Sequence, residues 1–180
     1  MNADYRKIIS TIFLLCMGVF LVGFSELSAQ EWYATGMDSF NQGLYGDALE
    51  SFTNAVNLDP AYQPAYFQRG ETYLHLGQYD LAIGDLTTSL SLKPADSQAY
   101  YARALAYMES GNYASAVGDF SQTIVLDPGR DDAYFHRGLA YEKLGQFNNA
   151  QNDLNRACDL GNDDGCTAND SLRERLQNYE

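Results

Sequence analysis

Positive charge is scarce in this chain. Eleven Lys and Arg stand against 24 Asp and Glu, giving a formal net charge of −13. Nucleic acids and anionic membrane surfaces are held by basic patches, so neither is an expected partner. Histidine and cysteine are almost as rare, with two and three copies. A metal centre needs several convergent ligands, and His75 and His136 lie in different parts of the chain from Cys158 and Cys166, so no metal site is expected. A phosphate-cradling glycine loop and a His-Glu-x-x-His motif are both missing. No catalytic residue, no cofactor and no enzymatic activity are therefore expected. With 46% hydrophobic residues, the chain has enough apolar material for a core.

The one long apolar run lies near the start. Arg6 and Lys7 precede Ile8 to Phe24, and Ser25-Glu26-Leu27-Ser28-Ala29-Gln30 follows. A short basic region, an apolar stretch and small residues after it describe a secretory signal peptide over residues 1–29, cut near Ala29 or Gln30. The predicted destination is secreted or periplasmic. An uncleaved membrane anchor over 8–24 stays open, although the run is at the short limit for a span. Lipid attachment at Cys16 is the weakest reading, because Leu15 and Met17 beside it are bulky.

Glycine is placed with regularity. Gly43, Gly77, Gly111 and Gly145 are 34 residues apart, each followed two residues later by an aromatic side chain and five later by Ala. Other positions fall into phase. Trp32, Tyr66, Tyr100 and Tyr134 precede the glycines by eleven, and Gly36, Gly70, Ala104 and Gly138 by seven. Phe52, Leu86, Phe120 and Leu154 follow by nine, and Pro60, Pro94 and Pro128 follow the first three by seventeen. Each copy reads as two helices. In the second, Tyr66, Gly70 and Tyr73 share one stripe before Gly77 ends the helix, and Ala82, Ile83, Leu86 and Leu90 share a stripe of the next before Pro94 stops it. The small residues let paired helix axes approach, and the tyrosines fill the space around them.

In copies two to four, Arg69, Arg103 and Arg137 each lie sixteen residues before Asp85, Asp119 and Asp153. In the first copy both change together, to Thr35 and Ser51. Loss as a pair points to a salt bridge joining the two helices of one copy, closer than about 4 Å. Two independent solvent-facing charges are the alternative.

The 34-residue pattern resembles the tetratricopeptide repeat. That resemblance implies an all-α fold, a right-handed α-solenoid of four helix-turn-helix units over about 29–62, 63–96, 97–130 and 131–162, with a capping helix over 163–180. From Thr167 to Tyr179, Ala168, Leu172, Leu176 and Tyr179 form the one apolar stripe that a closing helix needs. Asn169-Asp170-Ser171 within it also fits a glycosylation sequon. The stretch "ACDLGNDDGC" is similar to Sel1-like repeats, in which two cysteines so spaced join adjacent helices. That likeness implies a Cys158–Cys166 disulfide, favoured outside the cytoplasm; inside it, two reduced thiols are the alternative.

In tetratricopeptide proteins ligands lie against the first helices. The resemblance implies an inward-facing set: Tyr33, Phe67, Tyr101 and Phe135; Met37, Glu71, Leu105 and Leu139; Phe40, Leu74, Met108 and Glu142. It lacks the Lys and Asn pattern with which chaperone-binding members clamp a carboxylate, since Tyr33 and Met37 take the first two such places. The expected function is a monomeric, non-catalytic scaffold that binds a protein or peptide through this face. Three other readings remain: aromatic positions that serve internal packing alone, an anchored accessory subunit using its convex face or cap, and a small enzyme or ligand carrier with a site in the groove.

Overall fold

The computed structural model describes residues 27–177. All but the last three residues of the expected leader lie outside that range, as does Tyr179. Nine α-helices and no strand occur among the described residues. In chain order they are α1 (Ala29–Asn41), α2 (Tyr45–Leu58), α3 (Gln63–His75), α4 (Tyr79–Leu92), α5 (Ser97–Glu109), α6 (Tyr113–Leu126), α7 (Asp131–Lys143), α8 (Phe147–Asp159) and α9 (Asp163–Gln177). The first helices of the four copies start at residues 29, 63, 97 and 131, at the 34-residue interval.

Local chemistry sets the boundaries. Ser28 caps α1 reciprocally: its hydroxyl accepts from the Glu31 amide at 3.3 Å, and its own amide donates to the Glu31 carboxylate at 2.8 Å. Asp96 caps α5 by accepting from the amides of Gln98 and Ala99. Gly77 stands at φ +69° after α3, and the Gln78 amide then donates back to Tyr73 O at 2.9 Å. A side chain would oppose that left-handed conformation, so glycine recurs at the same turn of every copy.

The fourth copy leaves by a different route. Gly161, at φ +100°, closes α8 with the same type of turn, and the Asn162 amide donates to Ala157 O at 3.0 Å. Asn162 replaces the prolines of the earlier junctions, and its Oδ1 accepts from the Gly165 amide at 2.7 Å. Helix α9 therefore starts at Asp163, where the capping helix is expected, one turn ahead of its apolar stripe. The Cys158–Cys166 disulfide spans this turn, with Cα atoms 4.7 Å apart. Closing so short a loop contributes about 2–3 kcal/mol by the chain-entropy estimate.

There is no single centre. Each helix packs on its neighbours in sequence, and the apolar contacts form successive clusters along the row. Within a copy the helices meet where one side chain is missing. A methyl group at Gly36 would stand 2.5 Å from Phe52, at Gly70 2.8 Å from Leu86, and at Gly138 2.9 Å from Leu154.

Arginine joins the copies to one another. Arg69 makes two hydrogen bonds to Asp85, from Nε at 2.6 Å and Nη2 at 2.8 Å. Arg103 and Arg137 repeat this on Asp119 and Asp153, with Nε at 2.7 Å in each case. Every one of these arginines also reaches back to the preceding copy. Nη1 donates to Thr53, Thr87 or Ser121 at 3.2, 3.0 and 3.0 Å respectively. The pair thus fixes two interfaces at once: helix to helix within a copy, and copy to copy. At the next equivalent place, Asn155 Oδ1 accepts from Asn169 Nδ2 at 2.6 Å and from Arg173 at 3.3 Å, which ties α9 to α8. Asn169 is 4% exposed, so the sequon asparagine is closed to a glycan in the folded chain.

Candidate functional site

Beyond sequence neighbours, the appreciable helix contacts join first helices only: α1 with α3, α3 with α5, and α5 with α7. Elements that converge lie on the inside of a bend, so the first helices line the inner face. The residues expected there, Tyr33, Met37, Phe40, Phe67, Glu71, Leu74, Tyr101, Leu105, Met108, Phe135, Leu139 and Glu142, are all half-buried. Packing explains the buried half. Phe67 and Leu74 touch a cluster that includes Ala102 and Ala106 of the next first helix. Tyr101, Leu105 and Met108 likewise touch a cluster containing Ala140.

The two ends of the face differ. At the start, Tyr33 meets Tyr62 edge-on at 5.5 Å, and Phe40 lies 5.3 Å from His75, which stacks on Tyr45 at 5.1 Å. At the other end α9 takes the place of a fifth copy. Phe135 and Leu139 pack with Ala168, Leu172 and Leu176, and Arg175 forms a 2.8 Å ion pair with Glu142. An apolar hollow of about 430 Å³ lies between α8 and α9, lined by Phe147, Leu172, Arg175 and Leu176.

The middle carries polar groups. The Arg130 guanidinium sits 3.7 Å above the Tyr101 ring and binds Asp132 at 2.8 Å. Burial, followed by the charge of Asp132, raises the Tyr101 hydroxyl pKa well above the usual phenol range. His136 stacks on Phe120 at 5.9 Å, and burial lowers its pKa even though Asp132 and Glu109 oppose the shift. Glu71 holds a carboxylate at a position where the other copies have Met37, Leu105 and Leu139. Burial raises its pKa, against the opposing charges of His75 and Arg130. Among the described residues it has no hydrogen-bond or ion-pair partner, while Arg130 is committed to Asp132.

Sequence reasoning passed over Arg130 and Asp132. A signal was present, since Tyr62, Asp96 and Arg130 are themselves 34 apart. Tyr62 covers Tyr33 as Arg130 covers Tyr101, each 29 residues after the ring it meets. In the first and third copies the junction residue therefore sets what lies over the inner aromatic ring. Among the described residues, no three His, Cys, Asp or Glu side chains gather as a metal-ligand set.

Family models described as "Tetratricopeptide repeat" match residues 51–84 and 131–164, and one described as "TPR repeat" matches residues 104–145. The matching models are all of this one type and leave the Sel1-like cysteine pattern without support. No curated protein matches the sequence significantly. Among solved structures, a crystal structure of MamA superposes with a TM-score of 0.72 at 29% identity, covering 73% of this chain and 77% of that one. YrrB, titled a TPR protein with an unusual peptide-binding site, gives 0.70 at 23% identity, covering 75% and 70%. The first TPR of Spaghetti (RPAP3), bound to the HSP90 peptide SRMEEVD, gives 0.64 at 22%, covering 65% and 93%. At these last two identities the likeness concerns the fold alone.

Proposed function

Because the chain carries tetratricopeptide repeats, we propose that it is a non-catalytic scaffold holding an extended or helical peptide segment of a partner protein against the first helices. The observation carrying this reading is the state of the inner residues. Phe67, Leu74, Tyr101, Leu105 and Met108 are neither sealed in the core nor free in solvent. Internal packing alone would be served by rings fully covered by the next copy. A ring left half open on a concave surface offers anchoring area to a second chain. Two proteins of similar fold are described as having a peptide-binding site or a bound peptide, which supports this reading.

The face runs along all four copies; in the fourth, Phe135 and Leu139 stay half-buried like their counterparts, and only Glu142 is engaged, by Arg175 of α9. A compartment outside the cytoplasm suits the reading. A disulfide persists in an oxidising environment, and the basic-then-apolar start of the chain is of the kind that directs export. The strongly acidic surface keeps such a protein soluble without drawing it to nucleic acid.

The test is crosslinking in the native environment followed by affinity capture, repeated with Phe67→Ala and Tyr101→Ala combined. Large aromatic anchors at the centre of an interface are each worth on the order of 2 kcal/mol or more. Partner recovery is expected to fall at least tenfold in the double variant while its helical circular dichroism is kept. Unchanged recovery would move the contact surface elsewhere.

A further inference from the structure

Resting on the reading of the first-helix face as a peptide site, we infer that Glu71 is a receptor for a cationic side chain, so that the segment held there carries a Lys or Arg between apolar residues. Three features of the site carry this. The register position is apolar in every other copy, as Met37, Leu105 and Leu139, so the packing of the stack does not call for a carboxylate there. The carboxylate is half-buried between Phe67 and Leu74 on α3 and has no hydrogen-bond or ion-pair partner among the described residues. The nearby guanidinium is otherwise engaged, since Arg130 is clamped to Asp132 and stacked on Tyr101, and the His75 ring is stacked on Tyr45. A partly desolvated charge left uncompensated costs stability, and an incoming ammonium or guanidinium would offset that cost.

Charge complementarity chooses the occupant. The chain carries −13 overall, and the basic group at the centre of the face is neutralised by its own ion pair. An acidic peptide would meet Glu71 and Asp132 with nothing to bind its carboxylates. A basic peptide finds one unpaired carboxylate flanked on α3 by Phe67 and Leu74, which can bury the methylene stem of a Lys or Arg. The apolar neighbours give area, and the single carboxylate gives register.

The test selects peptides from a displayed library of short random sequences on the purified full chain, on Glu71→Leu and on Tyr101→Ala. Enriched peptides on the parent are expected to carry Lys or Arg beside aromatic or aliphatic residues. A selected lysine peptide should bind the parent roughly tenfold more tightly than its norleucine twin, a preference that shrinks to about twofold on Glu71→Leu. Without ligand, Glu71→Leu should also melt a few degrees higher than the parent, because it installs the residue of the third and fourth copies. A cationic preference that survives Glu71→Leu, while Tyr101→Ala removes binding, would overturn the role of Glu71 and leave the face standing. Binding unaffected by Tyr101→Ala, or no enriched peptide at all, would overturn both. Enrichment of acidic peptides on the parent would also refute the inference.

Discussion

Asp119→Ala should melt well below the parent protein, losing about 3–5 kcal/mol, or roughly 6–15 °C in a chain of this size. The reason is what it leaves behind. Arg103 loses both its bonds to the carboxylate, at 2.7 and 2.9 Å, and keeps only Thr87 at 3.0 Å. Its side chain is only 16% exposed, so water replaces little of what was removed. The guanidinium would remain wedged between α5 and α6 near the rings of Tyr100 and Tyr107, which attract a cation but cannot accept its in-plane donors. Burial works against the Arg103 charge once Asp119 is gone, yet a guanidinium stays protonated near neutral pH and has no neutral form to retreat to. The first copy shows the remedy. There Thr35 and Ser51 stand in place of the pair, and Ser51 is buried without a charge beside it. Arg103→Thr combined with Asp119→Ser should therefore cost less than Asp119→Ala alone, although it also gives up the bond to Thr87. Thermal melts of the single and double variants measure the coupling; strictly additive losses would mean that the two side chains stabilise independently.

Gly70→Leu is the second large effect, with an expected loss of about 3 kcal/mol. A methyl group alone at Gly70 would stand 2.8 Å from Leu86 Cγ and 3.2 Å from its Cδ2, with Ala82 O at 3.5 Å behind them. Leu86 has no exposed surface and cannot swing aside, so α3 and α4 must separate. Gains in helix propensity return only about 1 kcal/mol. Gly84 provides the control on the same helix pair. It is exposed in α4, and a side chain there meets nothing within 4 Å. Gly84→Leu should be neutral or slightly stabilising. Equal melting temperatures for the two variants would show that close helix approach at Gly70 is not needed.

What could be read from the sequence was whatever the repetition displayed several times over. The turn glycines, the Gly70–Leu86 type of contact and the Arg–Asp pairs each recur, and recurrence separates a rule from an accident. The two helices expected in the second copy, one ending at Gly77 and the next stopping before Pro94, are α3 at Gln63–His75 and α4 at Tyr79–Leu92. The bonds from Arg69, Arg103 and Arg137 to the preceding copy were harder to read. Their acceptors change between Thr and Ser, and hydroxyls on a helix surface carry little signal by themselves. The first turn of α9, Asp163-Asp164-Gly165, is polar and glycine-bearing, so the apolar stripe by itself marks only the helix from Thr167 onward. That turn is held by the Asn162 cap and the disulfide, and it has no apolar stripe of its own. At the candidate site, Tyr101 was visible as a repeating aromatic. Arg130 above it was not, because it occurs once, at a junction where neighbouring copies use Tyr62 and Asp96. Glu71 was visible as a letter, but its isolation from every partner is a property of three-dimensional placement.

The most direct measurement is site-resolved photo-crosslinking in the native environment. A benzophenone side chain is placed at Leu105, on the first-helix face, or at Gln122, exposed on the second helix of the same copy. The account expects a discrete protein adduct from Leu105 that disappears with Tyr101→Ala, and none from Gln122. Adducts from Gln122 with none from Leu105 would contradict it.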